Sequence, residues 1–131
     1  MSARSDGSLL VNRTRGVVLA THVAYARTPF ARARGLIGRR SFPPGHALVL
    51  DPCGAIHTFF MRVAVDALFV STDGRIVRVI EALPPWRIDP PWTQGARWTV
   101  ELPAGTLAAT GTQADDVVAL VAIAPGPPAR T

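Results

Sequence analysis

The segment CGAIHTFFM, residues 53–61, sets Cys53, His57 and Met61 at a regular spacing of four. Thiolate, imidazole and thioether would together suit a soft cation such as Cu(I). A Cys–His pair is also the pairing of a thiol nucleophile with its base. On a strand the three share a face, but successive members lie about 13 Å apart at 3.3 Å per residue. On a helix neighbours meet, yet the outer two remain about 12 Å apart at 1.5 Å per residue. Only a turn at Pro52-Cys53-Gly54 could fold Cys53 back onto His57, where Arg62 or His57 could lower the thiol pKa. The plainer reading makes Cys53 and Met61 buried packing and leaves His57 in need of a partner. No metal or other cofactor is expected.

Asp66 is the partner to consider for His57. The two flank an interruption at 62–64, so adjacent strands could bring carboxylate onto imidazole, as a structural hydrogen bond or as a general acid–base pair. Arg62 and Arg87 each leave an apolar stretch, and a guanidinium fork matches a carboxylate or phosphate ligand. Their alternative is a salt bridge to Asp66, Asp89 or Glu101. The stretch PPWRIDPPW, residues 84–92, repeats Pro-Pro-Trp with a period of six. Trp86 and Trp92 could stack on a sugar, base or peptide, but a Trp in such a loop more often pins it to the core, as expected for Trp86. Arg27, Arg32, Arg34, Arg39 and Arg40 could mark a nucleic-acid footprint or a solvated helix face. Without a recognised binding module, nucleic acid is not the favoured partner.

The elements that must position these residues are mostly strands. Val17–Tyr25 is β-branched and aromatic without a breaker. Thr28 to Gly38 reads as a short amphipathic helix, capped by Thr28, opened by Pro29 and ended by Gly38, with Phe30, Ala33 and Ile37 on one face. Ala47–Leu50 is a short buried strand. Val65–Ser71, Asp73-Gly74 and Arg75–Ala82 read as a hairpin with a type I′ turn. The Pro and Gly of Leu83–Gly95 exclude a helix or central strand and predict a surface excursion. Arg97–Leu102 alternates, with Trp98 and Val100 on one side and Thr99 and Glu101 on the other. Pro103–Gly111 predicts a helical turn or two, and Asp116–Ile123 a last strand. About seven or eight strands and two short helices make a mainly β chain, a β-rich α+β domain with a compact, barrel-like antiparallel sheet.

Length and composition bound the rest. The chain has 131 residues, 48% apolar and 18% charged, which fits one domain over residues 9–124 with loose ends at 1–8 and 125–131. No apolar run at the start has the length of a secretion signal, and none elsewhere approaches the roughly 20 residues that cross a bilayer. A single Cys forms no internal disulfide, so a cytoplasmic protein without a membrane partner is expected. All 14 basic residues are Arg, and the formal charge of +5 favours anionic partners. Lys is missing everywhere rather than at one site, which points to codon bias before function.

Five motifs stand in a familiar order: RTPF and RGLIGR within 27–39, IHTFFMR at 56–62, VDALFVSTDGRIV at 65–77, PW at 85–86 and VELPAG at 100–105, followed by a turn at 111–116. Over residues 17–122 the chain resembles the bacterial and archaeal family of unknown function number 192 (DUF 192). The resemblance implies a compact, mostly β, barrel-like fold and implies no activity. Where the family usually has Gly-Asp before its last strand, this chain has Asp115-Asp116, and Asp enters positive φ less readily than Gly. Many relatives carry a secretion signal or membrane segment that is not seen here, in keeping with a cytoplasmic home.

Taken together, the residues point to a binding module with a groove near His57, Met61, Arg62, Asp66, Trp86 and Arg87, facing an anionic or polar small molecule. A hydrolase or transferase built on His57 and Asp66 is the alternative from another class. A nucleic-acid or protein interaction module using the Arg-rich segment is the third. Oligomeric state is left open.

Overall fold

The computed structural model describes residues 4–5, 7–28, 31–32, 35–89 and 92–123. Its strands are β1 (Arg4–Ser5), β2 (Ser8–Asn12), β3 (Val17–Ala20), β4 (His22–Ala26), β5 (His46–Leu50), β6 (Ile56–His57), β7 (Val65–Val70), β8 (Ile76–Leu83), β9 (Ile88–Asp89), β10 (Trp98–Pro103) and β11 (Val118–Ala122). Helix α1 spans Thr106–Thr110. A six-stranded sheet runs β1-β4-β5-β10-β7-β8, a three-stranded one β11-β2-β3, and β6 pairs with β9. The protein is therefore mainly β. The sheets do not close on themselves, and pairing is antiparallel except between β4 and β5.

Both faces of the six-stranded sheet are covered. Val100 and Leu102 of β10, with Val49, Leu68 and Val70, face one cluster shared with Leu10, Leu19 and Val118 of the three-stranded sheet. Leu48, Leu50, Ala67 and Phe69 face a second cluster, which holds Leu36, Cys53, Ile56 and Met61. This is why β7 (VDALFV) is buried at every position: a strand covered on both faces reads as a continuous apolar run rather than an alternation.

Three expectations are corrected. Val17–Tyr25 is not one strand: the chain turns at Thr21, where Thr21 and His22 both donate backbone N–H bonds to Gly45, and passes from the three-stranded to the six-stranded sheet. The Asp-Gly hairpin forms, but not with a type I′ turn. Gly74 alone takes positive φ, at 91°, and its N–H donates to Ser71 at 3.0 Å, giving the longer hairpin loop closed by a left-handed Gly.

Among the described residues two helices are not borne out either: the Thr28 segment shows only a helical turn at Ala31 and Arg32, with Arg32 N–H donating to Thr28 C=O and Gly35 N–H to Ala31 C=O, both at 2.9 Å. Thr28 does cap a turn, its Oγ1 accepting from Ala31 N–H at 3.0 Å. Left-handed Gly35 and Gly38, at φ 46° and 77°, then turn the chain. The expected placements of Phe30 and Ala33 lie outside the described residues. Helix α1 ends as expected, at left-handed Gly111.

At the other end of the molecule, Asp115 takes the positive φ, 75°, that a Gly would accommodate more readily. Its side chain is paired with Arg75 at 2.8 Å.

Candidate functional site

Between β5 and β7 the chain is almost wholly irregular, so neither the strand nor the helix spacing applies to Cys53, His57 and Met61. Cys53 N–H donates to the Arg97 carbonyl at 3.0 Å and Gly54 C=O accepts from Thr93 at 2.6 Å, which turns the chain before the two-residue strand β6. Cys53, His57 and Met61 consequently line one cleft of about 420 Å³ together with Arg32, Leu36, Ile56, Trp92 and Glu101. Among the described residues no three His, Cys, Asp or Glu side chains are grouped to hold a metal ion.

Glu101 is the residue that sequence reasoning missed. It sits on β10, between β5 and β7, opposite Leu48 and Ala67, so its carboxylate points into the second cluster rather than to solvent. Only 3% of it is exposed, and Oε2 has no hydrogen-bond partner among the described residues. Burial alone pushes its pKa up to about 7: an uncompensated carboxylate in an apolar setting holds its proton. The readable signal was that ALVL in β5 and ALFV in β7 are continuous apolar runs; as neighbours of β10 they bury both faces of RWTVEL.

The cleft's other titratable groups are settled differently. The Cys53 thiol donates to the Ala55 carbonyl at 3.1 Å, and burial raises its pKa despite opposing hydrogen bonds and Arg32. Burial favours the protonated thiol, and Cys53 packs in the second cluster. His57 is exposed at the rim. Its Nδ1 accepts from Phe59 N–H at 3.3 Å, which places the proton of the neutral ring on Nε2. Arg32 Nη1 donates to the Arg27 carbonyl at 2.7 Å.

His57 and Asp66 do not meet. Asp66 is buried and accepts from three backbone N–H groups: Ala82 at 2.8 Å, Gly105 at 3.1 Å and Leu107 at 2.9 Å. It joins β7 to β8 and to the start of α1, a structural task that removes the basis for a His57/Asp66 catalytic pair. Arg62, Trp86 and Arg87 are exposed and do not line the cleft.

Trp86 is not pinned to the core, contrary to expectation. It is 56% exposed and packs on Phe60, itself 62% exposed, with ring centroids 4.7 Å apart. Both take positive φ, 64° and 63°, a conformation bulky residues adopt only when neighbours over-determine it. Fully buried Thr58 does so. Its Oγ1 donates to Pro84 C=O at 2.5 Å and accepts from Arg87 N–H at 2.8 Å, while its C=O accepts from Met61 N–H and Trp86 N–H.

Trp92 instead closes the cleft. Its indole lies so near Gly54 that a Cβ there would overlap the ring, and its Nε1–H donates to Ala96 C=O at 3.2 Å. The described residues of the Arg-rich segment are placed one by one. Arg27 lies over Tyr25 at 4.1 Å, Arg32 lines the cleft, and Arg39 and Arg40 are exposed; Arg34 lies outside the described residues.

Comparison with known proteins agrees with this fold. A UPF0127 protein of Thermococcus sibiricus is 31% identical over 103 residues, 76% of this chain and 66% of that protein, so the match spans just under two thirds of the relative's length. A UPF0127 protein of Pyrococcus horikoshii is 33% identical over 103 residues, 74% of this chain and 85% of the relative. A crystal structure from Sinorhizobium meliloti, described as a candidate transcription regulator, superposes with a TM-score of 0.79 at 24% identity, covering 92% of this chain and 96% of that one. One from Novosphingobium aromaticivorans, of unknown function, gives 0.75 at 21% identity, covering 86% and 83%. At these identities the structural likenesses speak for the fold alone. The family model DUF192, described as an uncharacterized ACR, matches residues 10–120, and the chain belongs to that family.

Proposed function

We propose that the protein is a small-molecule-binding domain whose ligand enters the cleft between Arg32, the Gly35–Ile37 turn, segment 52–61 and Trp92. The observation that carries this reading is Glu101 Oε2, a buried carboxylate oxygen without a hydrogen-bond partner among the described residues, in a cleft otherwise lined largely by apolar side chains. Burying a polar atom unpaired costs about 1–3 kcal/mol, and a ligand donor would recover that cost. An apolar pocket with few convergent polar groups is the usual form of a ligand site. Within the groove expected from the sequence, His57 and Met61 belong to this site. A polar ligand is favoured over an anionic one, because Glu101 faces it. The free thiol of Cys53 suits a reducing, cytoplasmic compartment.

The test is a fragment screen followed by amide chemical shifts. Hits are expected to move the amides of Leu36, Ile56 and Met61 and to be lost in Ala55→Trp, which fills the cleft. A diverse library that moves none of these amides, or hits that survive Ala55→Trp, overturns the proposal.

A further inference from the structure

Resting on the cleft as a binding site, we infer that its ligand is a protonated amine carried on a compact apolar body, with the ammonium seated on Glu101. Three chemical classes could approach the orphan oxygen, and the surroundings separate them. An anion would meet a carboxylate, or require it to stay protonated. A neutral hydroxyl could donate to Oε2 but would leave the ionised carboxylate without a counter-charge in an apolar setting, which is costly. An ammonium supplies both the donor and the charge, and charge-assisted bonds are about twice as strong as neutral ones.

Among the described residues no group already fills that role. The strand neighbours of Glu101 are Leu48 on β5 and Ala67 on β7. Gly35 packs against it from the turn segment, where a Cβ would lie 3.6 Å from Oε1. From segment 52–61 the titratable groups that line the cleft are Cys53, held as a thiol, and His57, at the exposed rim. Arg32 is the one described cation lining the cleft, and a donor of its guanidinium is committed to the Arg27 carbonyl. Burial is the cause that raises the Glu101 pKa, and among the described residues no cation is bonded to its Oε2. Leu36, Ile56, Met61 and the Trp92 indole supply walls for one ring or a short branched chain, and Trp92 adds an aromatic surface of the kind that favours a cation.

Benzylamine, benzyl alcohol and benzoate share one apolar body and differ only in the head group. At pH 8 benzylamine is expected to move the amides of Leu36, Ile56, Met61 and Glu101 with at least about tenfold higher affinity than the other two. Between pH 8 and pH 6 its affinity should fall about tenfold as Glu101 takes up its proton. Glu101→Gln should abolish the preference among the three probes. Should that variant not fold, the two-pH comparison on the wild-type protein decides alone. Benzyl alcohol or benzoate binding the cleft as tightly as benzylamine, or benzylamine affinity that ignores both pH and Glu101→Gln, would overturn the amine assignment while leaving the cleft a binding site. If none of the probes moves these amides, the amine assignment is overturned, and only the broader fragment screen still bears on the cleft.

Discussion

At the scale of single residues, the cleft turns on environments rather than residue types. Cys53 and Glu101 both have raised pKa values, and burial is the leading cause in each. For Cys53 the consequence is inertness. At pH 7 the folded protein should react with a thiol-specific disulfide reagent at least about tenfold more slowly than the urea-unfolded chain, because both thiolate fraction and access are reduced. Equal rates would show an open, ordinary thiol. Gly54 is the counterpart on the rim. Gly54→Ala places a methyl group where the Trp92 indole lies, and since Trp92 is 54% exposed it has solvent to swing into. The expected result is a shifted Trp92 indole N–H resonance, freed from Ala96, with a stability change below about 1 kcal/mol. An unmoved resonance would mean that the indole does not rest on Gly54.

At the scale of elements, what the sequence showed and what it hid divide along physical lines. The β7–β8 hairpin, β5, β10 and the Gly-terminated α1 were legible, because local propensity and turn chemistry dictate them. The division of Val17–Tyr25 between two sheets was not, since the bend at Thr21 is enforced by Gly45, far along the chain. Nor could periodicity reveal that the irregular Cys53–Met61 segment sets its three side chains along one cleft, and the inward face of Glu101 showed only in the company of its neighbour strands.

Thr58 and Asp66 likewise act through backbone groups that no pattern announces. Thr58→Val removes the hydroxyl that serves both Pro84 C=O and Arg87 N–H. It should cost about 1–3 kcal/mol and speed proteolysis within Leu83–Asp89, whereas Thr58→Ser retains most of both. Asp66→Asn keeps the shape but leaves one carbonyl oxygen for three N–H donors. A loss of about 2–3 kcal/mol in urea unfolding is expected, and a neutral result would remove Asp66 from its structural role.

At the scale of the whole molecule, covering both faces of one sheet makes the protein's response to pH the sum of a few buried groups. Glu101 has a folded pKa of about 7 against an ordinary value of 4.5. Between those values the folded state holds a proton that the unfolded chain releases, so stability is greatest below 4.5 and is lost as pH rises through 7. That range of pKa corresponds to about 3 kcal/mol. His46 and Asp116 act in the other sense. His46 is stacked on His22 at 4.7 Å; desolvation first, then the charges of His22 and Arg39, lower its pKa, so it withdraws stability as pH falls below 6.5. Burial of Asp116 works to raise its pKa, but hydrogen bonds from Arg15, Asn12 and Gln113 outweigh it and hold the value low. Its contribution is present above the ordinary 3.8 and disappears as pH falls through the depressed value. His46 is partly exposed, so Glu101 governs the neutral range. Urea unfolding should therefore show wild-type stability falling from pH 5 to pH 8 by up to about 3 kcal/mol, with Glu101→Gln flat or rising over the same interval and a common decline for both near pH 3. A wild-type profile that rises from pH 5 to pH 8 would mean that the Glu101 carboxylate is compensated within the protein, and would remove the basis for seating a cation there.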